Sequence, residues 1–196
     1  METKENMTDP SKRIIVGVSG ASGAVYGLKL LRALRDLGYE SHAVITRGGR
    51  KVLKTEAGLR IQDFTSAAAF VHDEEDLGAP ISSGSFITGG MAVVPCSIRT
   101  LSAIAHSFND NLLVRAADVT LKERRPLVLV VRETPLHVGH LQLMAAAASH
   151  GAVILPPVPA FYHNPQTIDD IIAHTVGKVL DCFHIPHHLY RRWGEG

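Results

Sequence analysis

Cysteine is scarce in this chain of 196 residues. Cys96 and Cys182 are too few and too far apart for a disulfide framework or a cysteine-rich zinc site, and they fit a reducing compartment. An excess of one charge is lacking too: 20 Lys+Arg stand against 19 Asp+Glu, so no broad basic field is available to hold a nucleic-acid backbone or an anionic membrane. Any anion site must be local. Prolines or polar residues interrupt every hydrophobic run before membrane-spanning length, and the opening Met1-Glu2-Thr3-Lys4-Glu5-Asn6 is charged rather than apolar, which argues against a signal peptide. These absences predict a soluble, cytoplasmic protein with neither nucleic acid nor membrane as partner. Metal chemistry also lacks its parts. The closest group of histidines, His184, His187 and His188, is interrupted by Pro186, no cysteine or carboxylate has matching spacing, and no Asp-rich magnesium motif occurs. That group reads as a surface tail cluster, and no metal is expected. With no internal repeat and no low-complexity linker, the length indicates one domain over 12–196, after a loose polar leader, 1–11, that ends in Asp9-Pro10-Ser11.

What is present begins with a glycine-rich turn, Ser19-Gly20-Ala21-Ser22-Gly23-Ala24, between an apolar strand, Ile14-Ile15-Val16-Gly17-Val18, and a leucine-rich helix at 23–37. Such a turn aims backbone N–H groups and the positive end of a helix dipole at one point, where an anion can bind. Its spacing, G-x-x-G-x-S-G, lacks the G-x-G pair of the dinucleotide motif and the Gly-Lys-Ser/Thr of a P-loop, so a mononucleotide phosphate is favoured. A turn serving only tight strand–helix packing has the same composition.

Strand and helix patterns then alternate, the signature of an α/β fold whose parallel sheet is covered by helices on both faces. Strands are expected at 41–46, 91–95, 127–131 and 152–155, the last three as runs buried on both faces. Helices are expected at 50–56, 63–70, 98–106, 112–124, 138–150 and 168–184, and a turn-rich loop, 72–84, is expected to reach out of the core. In open α/β sheets ligands bind beyond the carboxyl ends of the strands. Gly20 to Gly23, Thr46, Ser97-Ile98-Arg99-Thr100 and Arg132-Glu133 all fall there. Singly, each has a structural reading as well: Ser97 and Thr100 as helix caps, Arg132-Glu133 as a solvated ion pair.

Further cations, one carboxylate and aromatics lie in Arg115-Ala116-Ala117-Asp118-Val119, Lys122-Glu123-Arg124-Arg125, Arg132-Glu133-Thr134-Pro135 and Pro159-Ala160-Phe161-Tyr162. Arg and Lys converging from separate segments suit two phosphates better than one. A solvent-facing basic helix end would account for 122–125, and ordinary core for Phe161-Tyr162.

With these motifs in this order, together with Ser83-Gly84-Ser85-Phe86, Pro95-Cys96-Ser97 and Leu121-Lys122-Glu123, the chain resembles the UbiX-type flavin prenyltransferases over residues 13–195. The resemblance implies a flavodoxin-like flavoprotein subunit, assembled as a homo-oligomer, a dodecamer, with FMN shared between neighbours. It implies transfer of a dimethylallyl group from dimethylallyl monophosphate to N5 and C6 of reduced FMN, giving prenylated FMN as the cofactor of a separate aromatic-acid decarboxylase. By motif position it assigns Gly20, Ala21, Ser22, Thr46, Ser97, Ile98, Arg99, Thr100 and Arg132 to FMN. Arg115, Lys122, Tyr162 and Lys178 are assigned with Glu133 to the allyl phosphate, some reaching in from a neighbouring subunit. Catalysis falls to Ser22, near flavin N5, to Glu56 as the proton-handling carboxylate, and to Lys122 and Glu133. At 178 the family more often places Arg, so the bidentate fork is lost; at Leu77 some relatives carry Trp.

Two other functions compete. A non-catalytic FMN-binding accessory subunit would need none of the extra cations. A flavin-dependent cysteine decarboxylase would need a catalytic histidine and a Pro-x-Met-Asn segment; no such segment occurs, and His72, in what reads as an exposed helix end, is the only candidate. Arg192-Trp193 is expected to pack on a neighbouring subunit or to cover the site.

Overall fold

The computed structural model describes residues 9–56 and 58–194; most of the expected leader lies outside them. Thirteen elements follow in order: β1 (Arg13–Val18), α1 (Ala24–Asp36), β2 (Glu40–Ile45), α2 (Arg47–Thr55), α3 (Ile61–Thr65), β3 (Phe70–His72), β4 (Gly90–Cys96), α4 (Ile98–Ala105), α5 (Leu112–Lys122), β5 (Leu127–Val131), α6 (Val138–Ser149), β6 (Val153–Ile154) and α7 (Ile168–Cys182). The strands form one parallel sheet in the order β3-β2-β1-β4-β5-β6.

The pleat divides the apolar residues between two cores. Ile14, Val16, Val18, Ala92, Val94, Val128 and Val130 meet α1 and α7 on one face. On the other, Ile15, Met91, Val93, Leu127, Leu129 and Val131 meet α4, α5 and Ala147 of α6. Central strands therefore need apolar side chains at every position, which is why β4 and β5 are continuous hydrophobic runs. No helix among the described residues is long and apolar enough to cross a membrane.

The helix expected at 63–70 is divided. Its first part is α3, and Phe70 instead begins β3, which pairs with β2 through Phe70 opposite His42. Helical propensity in Ala67-Ala68-Ala69 yields to the free edge of β2, where Ala69 N–H donates to Ser41 Oγ at 3.2 Å. The following loop is exposed at 75–78, as expected, but its later part is held to the body of the fold. Ala79 and Ile81 are buried in the α5 face, and the Arg125 guanidinium donates to the carbonyls of Gly84 (2.8 Å) and Phe86 (2.9 Å). The run at 152–155 is not buried on both faces: β6 is a two-residue edge strand with Val153 exposed. Nor is the tail a surface histidine cluster, because His187 is buried with its ring 3.1 Å from Asp181.

His72 belongs to β3 rather than to a helix end. Its Nε2 lies 3.0 Å from Nδ1 of buried His42, whose Nε2 lies 2.9 Å from Glu40 Oε1, and Arg13 donates to that same oxygen at 3.0 Å. One tautomer pattern with both rings neutral satisfies this chain: His72 donates to His42, which donates to Glu40. Burial lowers both histidine pKa values from the ordinary range, with His42 further depressing His72. The unfolded chain therefore takes up protons that the fold refuses, and stability is full above about pH 6.5 and declines as pH falls below it. Thermal unfolding followed downward from neutral pH should show this decline, and His72→Gln should make it shallower. Equal slopes in the two proteins would remove the pair as its cause.

Candidate functional site

Strand order reverses between β1 and β4: the chain moves outward from β1 through β2 to β3, then returns to the other side of β1. Their two exit loops diverge and leave a crevice between them. Ser19, 1% exposed, fastens its walls together. Its N–H and its Oγ–H both donate to the carbonyl of Pro95, at 3.1 and 3.0 Å, and its Oγ accepts the N–H of Ser97 at 2.8 Å. The loop after β2 joins the same rim, with Thr46 N–H donating to Val18 O at 3.0 Å. Gly20 and Gly48 then touch backbone to backbone: a Cβ built on Gly20 would stand 3.1 Å from Gly48 Cα.

Around this crevice lies a cavity of 480 Å³, within the range of small-ligand sites. Gly20, Thr46, Ser97, Ile98, Arg99, Thr100 and Glu133 line it together. Two caps are also walls. Thr46 Oγ1 accepts Gly49 N–H (3.0 Å) at the start of α2, and Ser97 Oγ accepts Thr100 N–H (3.3 Å) at the start of α4. Helix geometry leaves the N–H groups of Gly48, Ile98 and Arg99 without intrahelical partners, so two helix N-termini present donors to the one cavity. Ser97 is thus a helix cap, as its structural reading had it, Thr46 is another, and both also line the cavity.

The turn into α1 is different from its expected form. Gly23 and Ala24 N–H groups donate to the two carboxylate oxygens of Glu56, at 2.6 and 3.0 Å. Two amides of the turn expected to cradle phosphate, those of Gly23 and Ala24, are thus occupied by an anion from the chain itself, and the starts of α2 and α4 present further donors. Ala21 is buried and Ser22 exposed beside Gly20, and neither lines the cavity. Arg132 also lies outside its lining; its backbone N–H joins Cys96 O at 3.1 Å. Burial pushes the nearby Tyr26 phenol up, with Arg132 pulling against it.

Glu74 and Glu75, which sequence reasoning missed, cover the cavity from the loop after β3. Glu74 accepts the N–H of Arg47 through its carboxylate and that of Leu112 (2.7 Å) through its carbonyl, while Glu75 pairs with Arg47 at 2.6 Å. Asp110 pairs with Arg99 at 3.4 Å on the far wall.

The expected convergence of Lys122, Glu133 and Tyr162 does not occur within one chain. Glu133 lines the cavity, but Lys122 ends α5, whose N-cap Asn111 is the cavity residue, and a helix of that length separates them by about 16 Å. Lys122 pairs with Glu123, and Arg115 donates to Ser82 O at 3.1 Å while pairing with Asp118 at 3.5 Å. Lys178 of α7 and Tyr162 of the loop before it form a third group, in which Tyr162 Oη stands 3.3 Å from His174 Nε2 and Lys178 Nζ 3.4 Å from Asp181. Phe161 and Tyr162 are exposed, so they are not core. His72 does not line the cavity, which leaves a cysteine-decarboxylase mechanism without its histidine.

The flavoprotein family matches residues 2–180. Over 185 residues the chain is 58% identical to the flavin prenyltransferase UbiX of Salmonella typhimurium, covering 93% of this chain and 98% of that protein. A crystal structure of AnUbiX (PadA1) in complex with FMN and dimethylallyl pyrophosphate is similar with a TM-score of 0.91 and 47% identity, covering 93% of this chain and 97% of the other. A dodecameric FMN-dependent Ubix-like decarboxylase from Escherichia coli O157:H7 is similar with a TM-score of 0.89 and 46% identity, covering 92% and 98%.

Capping by Glu56 has a measurable consequence. Glu56→Ala strands two amide donors at the start of α1 and should cost about 1–2 kcal/mol in denaturant unfolding, whereas Glu56→Gln, which keeps one acceptor oxygen, should lose less. Equal losses in the two variants would contradict the capping role.

Proposed function

The chain belongs to the UbiX-type flavin prenyltransferases, and from that premise we propose that it transfers the dimethylallyl group of dimethylallyl monophosphate to reduced FMN, yielding prenylated FMN for a partner aromatic-acid decarboxylase. The observation that carries this reading is the cavity at the sheet reversal, where Gly20 and Gly48 leave no room for a side chain and unpartnered N–H groups from α2 and α4 face a single point. A mononucleotide fits it. Gly48, Ile98 and Arg99 offer amides to one phosphate, Thr46 and Ser97 add hydroxyls, and Glu74 and Glu75 set an acidic limit beyond it. Gly20, Ala21, Ser22 and Arg132 border the remainder of the flavin. Reduced FMN supplies the electron-rich ring atoms to which the allyl group is joined.

The chain's own residues do the rest. Breaking the allylic C–O bond leaves its electron pair on phosphate, so Arg115, Lys122 and Lys178 stabilise the charge that builds there while Tyr162 donates a hydrogen bond. Glu133, on the cavity wall, is the carboxylate of this subsite in the same reading. Protons released as the new bonds form pass to the Glu56 carboxylate or to the departed phosphate.

Because these groups are apart within one chain, the complete site is assembled between copies. Exposed apolar surface supports a homo-oligomer, a dodecamer in this reading: α6 buries only Ala147, and Leu136, Val138, Leu141, Val153, Val158 and Phe161 all face outward. The reading places the enzyme in the cytoplasm.

Anaerobic incubation with reduced FMN and dimethylallyl monophosphate should release a flavin heavier by one isoprene unit, read by mass spectrometry. Lys122→Ala and Glu133→Gln should lower the rate about 100-fold or more while FMN still binds. Tightly bound but unmodified FMN with the monophosphate, and with the pyrophosphate tried in parallel, would instead mark a binding-only accessory subunit.

A further inference from the structure

Asp181, on the last turn of α7, draws four side chains onto one carboxylate. Arg192 donates to Oδ1 at 2.8 Å and to Oδ2 at 3.4 Å, Tyr190 Oη–H to Oδ2 at 2.6 Å, His187 Nε2–H to Oδ1 at 3.1 Å, and Lys178 Nζ lies 3.4 Å from Oδ2. Burial raises its pKa, but the hydrogen bonds from Arg192, Tyr190 and His187 outweigh burial and hold the carboxyl well below its ordinary value. Three of the four partners belong to the segment after α7, which doubles back along that helix. The helix is cut to receive it: a Cβ on Gly177 would stand 2.6 Å from the Tyr190 ring and 2.7 Å from His187 Cε1. The same segment reaches Tyr162, because Tyr190 packs on His174 (ring centroids 4.7 Å apart), which meets Tyr162 Oη, and Trp193 stands edge-on to the Tyr162 ring at 5.5 Å.

We propose, resting on the assignment of Tyr162 and Lys178 to the allyl phosphate, that Asp181 is the positioning residue of that subsite. It ties residues 187–192 onto α7 and directs Lys178, so that the lysine ammonium and the tyrosine hydroxyl meet phosphate from fixed places. A lysine needs this where an arginine does not. Its ammonium is a point charge on a flexible stem, and anchoring one of its three donors orients the other two. Positioning of this kind removes part of the ordering cost of binding, so its loss appears mainly in substrate affinity, and to a smaller extent in the chemical step, where Arg115 and Lys122 still meet the leaving phosphate.

Asp181→Asn keeps the shape and removes the charge. The expected result in the full-length oligomer is a KM for dimethylallyl monophosphate raised about tenfold or more, kcat within about threefold, and FMN affinity unchanged. Tryptic cleavage at Arg191 and Arg192, followed by mass spectrometry, should quicken about fivefold as the segment opens. An unchanged KM, unchanged cleavage, or a joint fall of kcat and FMN affinity with KM overturns the proposal. Should Asp181→Asn fail to fold, Tyr190→Phe removes only the 2.6 Å bond and is expected to raise KM in smaller measure, with no rise counting against the idea. A wild-type enzyme that forms no prenylated flavin overturns the function and this assignment together, and is told apart because the cleavage comparison needs no turnover.

Discussion

One buried hydroxyl holds the two halves of the site together. The sheet reverses direction at β1 and β4, and chains leaving a reversal point diverge, so nothing in the sheet itself keeps their exit loops in register. Ser19 does so by donating to Pro95 O while accepting from Ser97 N–H. The consequences run outward: Ser97 is set as the cap of α4, the free amides of Ile98 and Arg99 are aimed inward, and Gly20 is brought against Gly48. Glu133 reaches the rim because Arg132 N–H joins Cys96 O. Each contact is a modest interaction, but their geometry is shared, and a ligand spanning both loops reads it as one surface.

Carboxylates at helix starts form a second theme. Glu56 closes α1 and Glu74 takes the first amide of α2 beside its Thr46 cap, whereas α4 is capped by a neutral hydroxyl alone. An anion is disfavoured at the start of α1, where Glu56 holds both amides, whereas α2 keeps the Gly48 amide and α4 those of Ile98 and Arg99 toward the cavity. The same economy appears at Asp181, where one carboxylate serves a helix, a returning segment and Lys178.

Much of the fold was legible because it depends on local period. The continuous runs at 91–95 and 127–131 could only be central strands, and the leucines of α1 only a helix. The carboxyl-rim rule then located Thr46, Ser97 to Thr100 and Glu133 without any structure, since it needs only strand ends. What failed was non-local. Three alanines before Phe70 favour a helix, and only the open edge of β2 makes the next residues a strand. Missing β3 meant missing Glu74 and Glu75, which reach the cavity by leaving that strand. The roles of Glu56 and Asp181 rest on partners about thirty residues away or on a returning segment, and no spacing along the chain announces either.

The α5 and α7 cations show the limit of a single chain as a unit of function. Lys122 and Lys178 each rest on a nearby carboxylate, Glu123 and Asp181, and lie away from the cavity, so the proposed function brings them to the substrate from a second copy. In the proposed function, however, FMN occupies the cavity between the exit loops that Ser19 fastens, and its binding depends on that hydroxyl. Titrating FMN against the wild-type protein and Ser19→Ala tests that dependence most directly. Leaving Ser97 N–H without its buried acceptor should weaken FMN binding about tenfold or more, corresponding to the usual cost of about 1–3 kcal/mol for such a group. FMN bound by a folded Ser19→Ala protein with wild-type affinity would contradict it.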